Sequence, residues 1–230
     1  MNNKLTELVY ILDMSGSMCN LVSDTIGGYN SMIARQRKFV EDNFELQANV
    51  TTVMFDDEYM LIHDRANIKD IPDITEKEYH PRGMTAMLDA IGKTLVDVGK
   101  KLADTPEEER PGLVSVVIIT DGMENASKEY TWETIRNMIK EQKEKYSWVF
   151  SFIGANIDVD KVTYDLGIDR SMSATYTANG IGTASVYSSL AKGITAMQDA
   201  CYTVSCTGSG NVDIAATAYS TLGVALDSVE

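Results

Sequence analysis

Residues 8–17 read Leu-Val-Tyr-Ile-Leu-Asp-Met-Ser-Gly-Ser and join a short apolar run to a polar loop. Five apolar residues in a row, ended by Asp13, are typical of a buried β-strand. After the strand, Asp13, Ser15 and Ser17 offer one carboxylate and two hydroxyls, and Gly16 permits a sharp turn between them. The segment therefore predicts a buried strand that brings three oxygen-bearing side chains to one end of a sheet.

Outward from this segment, apolar runs of strand length alternate with stretches of helical period. Further buried strands are predicted at 113–120 and 148–153, and the clearest helical stripe covers 88–102. A last helix is predicted after residues 180–183, whose two glycines suit a turn and whose Thr183 suits a helix cap. The runs 50–55 and 60–63 flank a short polar turn, as in an antiparallel hairpin at a sheet edge. This alternation predicts an α/β fold with a doubly wound, mostly parallel central sheet, one antiparallel edge strand and helices on both faces.

Three loops of the predicted sheet carry oxygen-bearing side chains to the same edge. Asp13, Ser15 and Ser17 follow the first strand, Asp121 follows a later buried strand, and Thr85 stands just before the striped helix. Ligand sites in open parallel sheets lie at the carboxyl ends of the strands, where these loops meet. Oxygen ligands suit Mg²⁺, Mn²⁺ or Ca²⁺, whereas zinc and copper favour nitrogen and sulfur. The loops therefore indicate a metal site, with helix capping as the alternative role for Thr85.

The five positions also match a known signature in order and spacing: Asp13, Ser15, Ser17, Thr85 and Asp121. Through them the sequence resembles the von Willebrand factor A (VWA) domain family, whose metal-ion-dependent adhesion site (MIDAS) has these ligands. The resemblance extends over residues 5–200 and implies a Rossmann-like VWA fold. It also implies that the three hydroxyls contact the metal, and that the two carboxylates act directly or through water.

The resemblance implies a protein-binding adaptor rather than an enzyme. The metal would contact three neutral hydroxyls, and in the family one coordination position is held only by water, so a partner's Asp or Glu can bind there. Shape around the site would then select the partner. The candidate rim residues are Met14, Met18, Arg82, Met84, Met123, Glu124 and Asn125. Core positions are the alternative for the methionines.

Composition limits the class of partner and the location of the chain. The 34 acidic and 20 basic residues give a net charge of −14, which repels a phosphate backbone, so we expect no nucleic acid partner. The first apolar run is too short for a signal or membrane segment, and the three cysteines suit free thiols. For Cys19 we expect a small buried side chain, with a reactive thiol as the alternative.

These properties lead us to expect a cytoplasmic protein of an intracellular bacterial or phage type, without membrane insertion. Intracellular members of the VWA family resemble adaptors for ATP-driven chaperone-type machines, which is an analogy of family and fold. The sequence predicts two parts, a VWA domain at 1–203 and an acidic tail at 204–230 that is either loosely ordered or docks on the domain.

Two other functions remain open at the level of sequence. The first is a self-assembling structural protein, in which the acidic tail of one copy supplies a carboxylate to the metal site of the next. The second is magnesium-dependent phosphoryl transfer, for which the support is thinner. A phosphoaspartate mechanism looks for a second acid two residues after Asp13, where Ser15 stands, and no phosphate-binding loop of the Walker type occurs.

Overall fold

The computed structural model of the chain describes residues 1–207, with side chains as far as residue 203. Its strands are β1 Asn2–Asp13, β2 Gln47–Phe55, β3 Tyr59–Asn67, β4 Pro111–Thr120, β5 Val149–Gly154 and β6 Ser173–Thr175. Its helices are α1 Val22–Asp42, α2 Met87–Ala103, α3 Trp132–Tyr146, α4 Val159–Leu166 and α5 Gly180–Thr207. Short 3₁₀ helices lie at Gly16–Leu21, Glu107–Glu109 and Arg170–Met172.

The strands form one sheet in the order β3-β2-β1-β4-β5-β6, in which β1 and β4 are the central pair. All neighbours run parallel except β3, which pairs antiparallel with β2 at the sheet edge. The predicted doubly wound sheet with one antiparallel edge strand is therefore confirmed. The carboxyl ends of the five parallel strands lie at one edge of the sheet, which we call the upper edge.

Helices cover the sheet on both sides, as predicted. On one side α1 packs against α5, while α2, α3 and α4 form a second group, α3 contacting both of its neighbours. The α1–α5 contact is close, because a methyl group on Gly28 would lie 2.3 Å from the ring of Tyr187. The central strands are buried on both faces, and residues 8–12 of β1 are at most 1% exposed.

Local details differ from the sequence predictions at two places. The last helix begins at Gly180, within the stretch predicted to be its turn, and Asn179 Oδ1 accepts from the Gly182 amide at 2.9 Å. Thr183, which we predicted as the cap, lies inside the helix. Cys19, predicted to be buried, is exposed, with its Sγ 3.7 Å from the Pro81 carbonyl oxygen. In both cases loop geometry, which has no sequence period, decided the outcome.

The end of the chain falls partly outside the described residues. Of the predicted tail, 204–207 form the end of α5, and 208–230 lie beyond the part that the structure describes. The boundary at 203 and the two states considered for the tail stay predictions. Within residues 1–207, no helix combines the length and apolar character needed to span a lipid bilayer.

Candidate metal centre

The two candidate carboxylates stand on the central strands of the sheet. Asp13 is the last residue of β1, and Asp121 directly follows the last residue of β4. Because β1 and β4 are parallel neighbours, both acids reach the upper edge side by side. Thr120 links the strands there, since its hydroxyl donates to Asp13 Oδ2 at 2.5 Å. The sheet therefore brings the two acids together, as the sequence predicted.

The loop after β1 continues this polar arrangement through its two serines. Asp13 Oδ1 accepts from the Ser15 amide at 2.7 Å, which folds the loop back over the carboxylate. The hydroxyl oxygens of Ser15 and Ser17 are 3.0 Å apart, and Ser17 donates to Asp121 Oδ1 at 2.5 Å. A chain of hydrogen bonds therefore joins Asp13 to Asp121 through both serines.

Thr85 reaches the same place from the loop before α2. Its amide donates to Asn125 Oδ1 at 2.9 Å, and the Asn125 amide donates to the Thr85 carbonyl oxygen at 3.0 Å. This reciprocal pair ties the loop before α2 to the loop after β4. The helix itself begins at Met87, with Ala86 in the capping position and no side-chain cap. The capping alternative for Thr85 is therefore wrong, and its hydroxyl is available for another role.

Gly122 marks the point on which the three loops converge. A methyl group on this glycine would lie 2.8 Å from Thr85 Oγ1, 3.1 Å from Ser17 Oγ and 3.3 Å from Asp13 Oδ2. Oxygen atoms from the loops after β1 and before α2 thus surround one small volume beside the loop after β4. Ser15 and Asp121 are each hydrogen-bonded to Ser17, so all five predicted site residues belong to this cluster.

The two acids of the cluster lie in an environment that disfavours a lone negative charge. Burial raises the pKa of Asp13 to about 6, although hydrogen bonds from Thr120 and Ser15 act in the opposite direction. Burial also raises the pKa of Asp121, against the effect of the Ser17 hydrogen bond. In the described part of the chain, no Lys or Arg compensates either carboxylate. A bound cation would supply the missing positive charge.

The donor set tests which cation fits. The cluster offers only carboxylate and hydroxyl oxygens, which suit a hard ion such as Mg²⁺ or Mn²⁺. Among residues 1–203, no three His, Cys, Asp or Glu side chains group as metal ligands, so a site of the usual zinc type is absent from that part of the chain. The residues present therefore fit a hard divalent ion held by two acids and three hydroxyls.

Solved structures with the same architecture identify the fold. One is a von Willebrand factor type A protein from Catenulispora acidiphila, 14% identical, with a TM-score of 0.53 over 84% of this chain and 42% of that one. The fold is that of VWA domains. No protein-family model matches the sequence, and no curated protein is similar to it. At this level of identity the likeness establishes the VWA fold alone.

Two further solved structures with the VWA fold are of metal-loaded proteins. Manganese-loaded TRAP protein from Plasmodium vivax is 16% identical, with a TM-score of 0.54 over 80% of this chain and 73% of that one. Mussel byssus proximal thread matrix protein 1 with a zinc-occupied MIDAS motif is 15% identical, with a TM-score of 0.52 over 85% of this chain and 46% of that one. The chain thus spans less than half of two of these three proteins.

The predicted rim of the site is only partly correct. Met14 and Met18 are 0% and 1% exposed, so they belong to the core of the VWA fold and not to the rim. The loop after β1 turns these side chains inward while its hydroxyls face the site. Met84 and Met123, in contrast, are 54% and 69% exposed. Arg82, Glu124 and Asn125 also lie outside the core.

Several residues support the site without having been predicted from the sequence. Thr120 and Gly122 flank Asp121 in a Thr-Asp-Gly stretch, so their position beside this acid was the available signal. Tyr79 is harder to predict from the sequence, because it lies 66 positions after Asp13. Its buried hydroxyl donates a hydrogen bond to the Asp13 carbonyl oxygen at 2.7 Å. Asn125 was assigned to the rim, whereas its hydrogen bonds give it a positioning role for Thr85.

Proposed function

We propose that the chain is a divalent-metal-dependent protein-binding module. The metal would be held by the five clustered residues Asp13, Ser15, Ser17, Thr85 and Asp121. The observation that carries the proposal is the convergence of three loops at Gly122, where oxygen atoms of Thr85, Ser17 and Asp13 surround one volume. Mg²⁺ is the metal that we expect, with Mn²⁺ or Ca²⁺ as alternatives, because each of them binds oxygen ligands.

The number of donors suggests how a partner would take part. Magnesium takes six ligands in near-octahedral geometry, and the cluster provides five side chains. An Asp or Glu of a partner protein would supply the sixth ligand and complete the coordination. Two proteins with the same fold are manganese-loaded and zinc-occupied, which supports the metal part of this proposal.

A binding role also agrees better with the surroundings of the cluster than catalysis does. The residue two positions after Asp13 is Ser15, whose amide donates to the Asp13 carboxylate, so the second acid of a phosphoaspartate mechanism is missing. His63 lies in the edge hairpin, where its Nδ1 is 3.1 Å from Thr52 Oγ1. We therefore propose a module that is not an enzyme, and a phosphatase assay with Mg²⁺ or Mn²⁺ would contradict this if it found turnover.

Other parts of the proposal concern the setting of the module. A cytoplasmic location, a bacterial or phage origin and an ATP-driven chaperone-type partner stay predictions. Assembly through the acidic tail is the rival binding mode. Removal of residues 204–230 tests that mode, since self-assembly that survives the truncation would contradict it.

The decisive experiment compares retention of partner proteins by wild type and Asp13→Asn, each in magnesium and in EDTA. We expect proteins that are retained only by the wild type and only in magnesium. Asp70→Asn is the matched control, because Asp70 is an exposed acid after the edge strand β3 and away from the upper edge. Equal retention in all conditions would contradict the proposed metal-dependent function.

A further inference from the structure

The two exposed methionines of the rim lie on the two loops that frame the candidate site. Met84 directly precedes Thr85, and Met123 directly follows Gly122. Thr85 and Gly122 face each other, with Thr85 Oγ1 2.8 Å from the position of a methyl group on Gly122. Consecutive Cα atoms are about 3.8 Å apart, so each methionine begins within one residue of the cluster.

The loops that carry these methionines are held firmly, although the side chains themselves are exposed. The two hydrogen bonds between Thr85 and Asn125 join the loops. Asp57 Oδ1 accepts from the Met84 amide at 3.2 Å, and Glu124 Oε2 accepts from the Leu88 amide at 2.9 Å. A fixed backbone with flexible, polarisable side chains is suited to contact apolar groups of varied shape.

The charged residues of the rim are already engaged within the chain. Arg82 pairs with Asp56 at 3.0 Å and with Glu58 at 2.7 Å, while Asp57 and Glu124 accept the amide hydrogen bonds given above. A partner would therefore find few free charges beside the metal, and the acids present would repel a second acidic side chain. Among the described residues next to the cluster, Met84 and Met123 offer exposed apolar surface.

We propose that the partner segment presents one acidic residue with a bulky apolar side chain close to it in sequence, and that Met84 and Met123 receive the apolar side chain. This inference rests on the proposed function, since the acidic residue would bind the metal. It adds the class of the flanking residue, and it assigns selection of the partner to two residues that hold no metal. The partner's surface would thus be an acid–apolar pair within one loop or turn.

Phage display tests this inference. Random heptapeptides are selected for binding to the wild-type chain in Mg²⁺. We expect the selected peptides to contain Asp or Glu with Leu, Ile, Met, Phe or Trp within two positions. A synthetic form of such a peptide should bind the double variant Met84→Ser/Met123→Ser about tenfold more weakly, because apolar contact area is lost. Metal affinity should stay the same, since neither methionine is one of the five candidate ligands.

Phe44→Ser is the matched control, because Phe44 is 87% exposed and lies between α1 and β2, at the opposite edge of the sheet. It should bind the peptide as the wild type does. Selected acids without apolar neighbours, or equal peptide affinity in the double variant, would overturn this inference and leave the proposed function standing. Selected peptides without an acid, or peptides that bind equally in EDTA, would overturn the proposed function and this inference with it.

Discussion

Gly122 occupies a position in the candidate site where a side chain would collide with the oxygen donors. Its missing side chain leaves the volume in which oxygen atoms of Thr85, Ser17 and Asp13 come together. A site of this kind needs both the oxygen donors and an empty space for the ion. The sequence motif indicated the donors, whereas the need for an empty position at Gly122 is visible only in three dimensions.

Gly122→Ala should abolish or strongly weaken metal binding while the fold is retained. The new methyl group would enter the cluster 2.8 Å from Thr85 Oγ1, so we expect a loss of affinity for Mn²⁺ of about tenfold to a hundredfold, the range for disturbed ligand positioning. Titration calorimetry measures the affinity, and circular dichroism checks the fold.

Gly99→Ala is the control for the same chemical change. This glycine lies in α2 with nothing within 4 Å of the added methyl group. Metal affinity should not change, and the helix should gain up to about 1 kcal/mol of stability. Unchanged metal affinity in Gly122→Ala would contradict the assigned position of the ion.

The raised pKa of Glu7 leads us to expect a pH dependence of stability that is separate from the metal site. Glu7 is fully buried on β1 and pairs with Arg65, yet burial raises the pKa of its carboxyl above the ordinary value of 4.5 and outweighs the favourable charge of Arg65. A raised folded-state pKa means that the carboxyl contributes stability below its unfolded pKa. That contribution is lost as the pH rises through the folded pKa.

Glu7→Gln should remove this loss. Relative to the wild type, the variant should become more stable, with a larger free energy of unfolding, as the pH is raised from 4 through the folded pKa of Glu7, and urea unfolding over that range measures it. Glu76→Gln is the control, because Glu76 is exposed. A difference between Glu7→Gln and wild type that stays constant with pH would show that the carboxyl does not titrate as inferred.

At the scale of elements, the β2–β3 hairpin acts as a support for the loop before α2. Its turn residue Asp56 accepts from the Ala86 amide through its carbonyl oxygen at 2.8 Å, and Asp57 accepts from the Met84 amide. Gly83 takes a positive φ of 64°, and a methyl group there would lie 2.0 Å from Asp57 Oδ1. The hairpin and the loop are therefore fitted closely to each other, which holds Thr85 in position.

Asp57→Ala should weaken metal binding without unfolding the protein. Loss of the hydrogen bond to Met84 frees the loop that carries Thr85, and we expect about tenfold weaker metal affinity, as for other residues that position ligands. Glu58→Ala in the same turn is the control. The Glu58 side chain makes an exposed ion pair with Arg82, which contributes little to stability. Equal metal affinities of the two variants would contradict the positioning role of Asp57.

The elements that the sequence predicted well are those with a clear period. Strand β4 is buried on both faces, so its sequence is an unbroken apolar run. Helix α2 is buried on one face, so its apolar residues repeat with the helical period. Loops lack such a pattern, so the sequence left both rim and core positions open for Met14 and Met18, which the structure places in the core. The start of α5 was missed for a related reason, because Gly180 and Gly182 are typical of turns yet here begin the helix.

At the scale of the whole molecule, an ion that binds only the folded chain should raise its stability. The candidate ligands come from β1, β4 and the loop before α2, so they assemble only when the centre of the sheet is formed. Free metal at a hundred times its dissociation constant would add about 2.7 kcal/mol to the free energy of unfolding.

Thermal unfolding in Mg²⁺ and in EDTA measures this effect. The wild type should unfold at a higher temperature in Mg²⁺, whereas Asp121→Asn should unfold at the same temperature in both. Asp70→Asn, which alters an exposed acid away from the upper edge, should respond to Mg²⁺ as the wild type does. An equal response of Asp121→Asn and wild type would mean that the stabilising ion binds elsewhere.

The position of the two acids on the central strand pair has a consequence for quality control in the cell. Strands β1 and β4 are flanked on both sides by other strands, so a chain that has lost order in its middle cannot present the five oxygen donors together. Binding of a metal-dependent partner would then require a folded chain. Under the proposed function, damaged or unfinished copies would therefore fail to bind the partner.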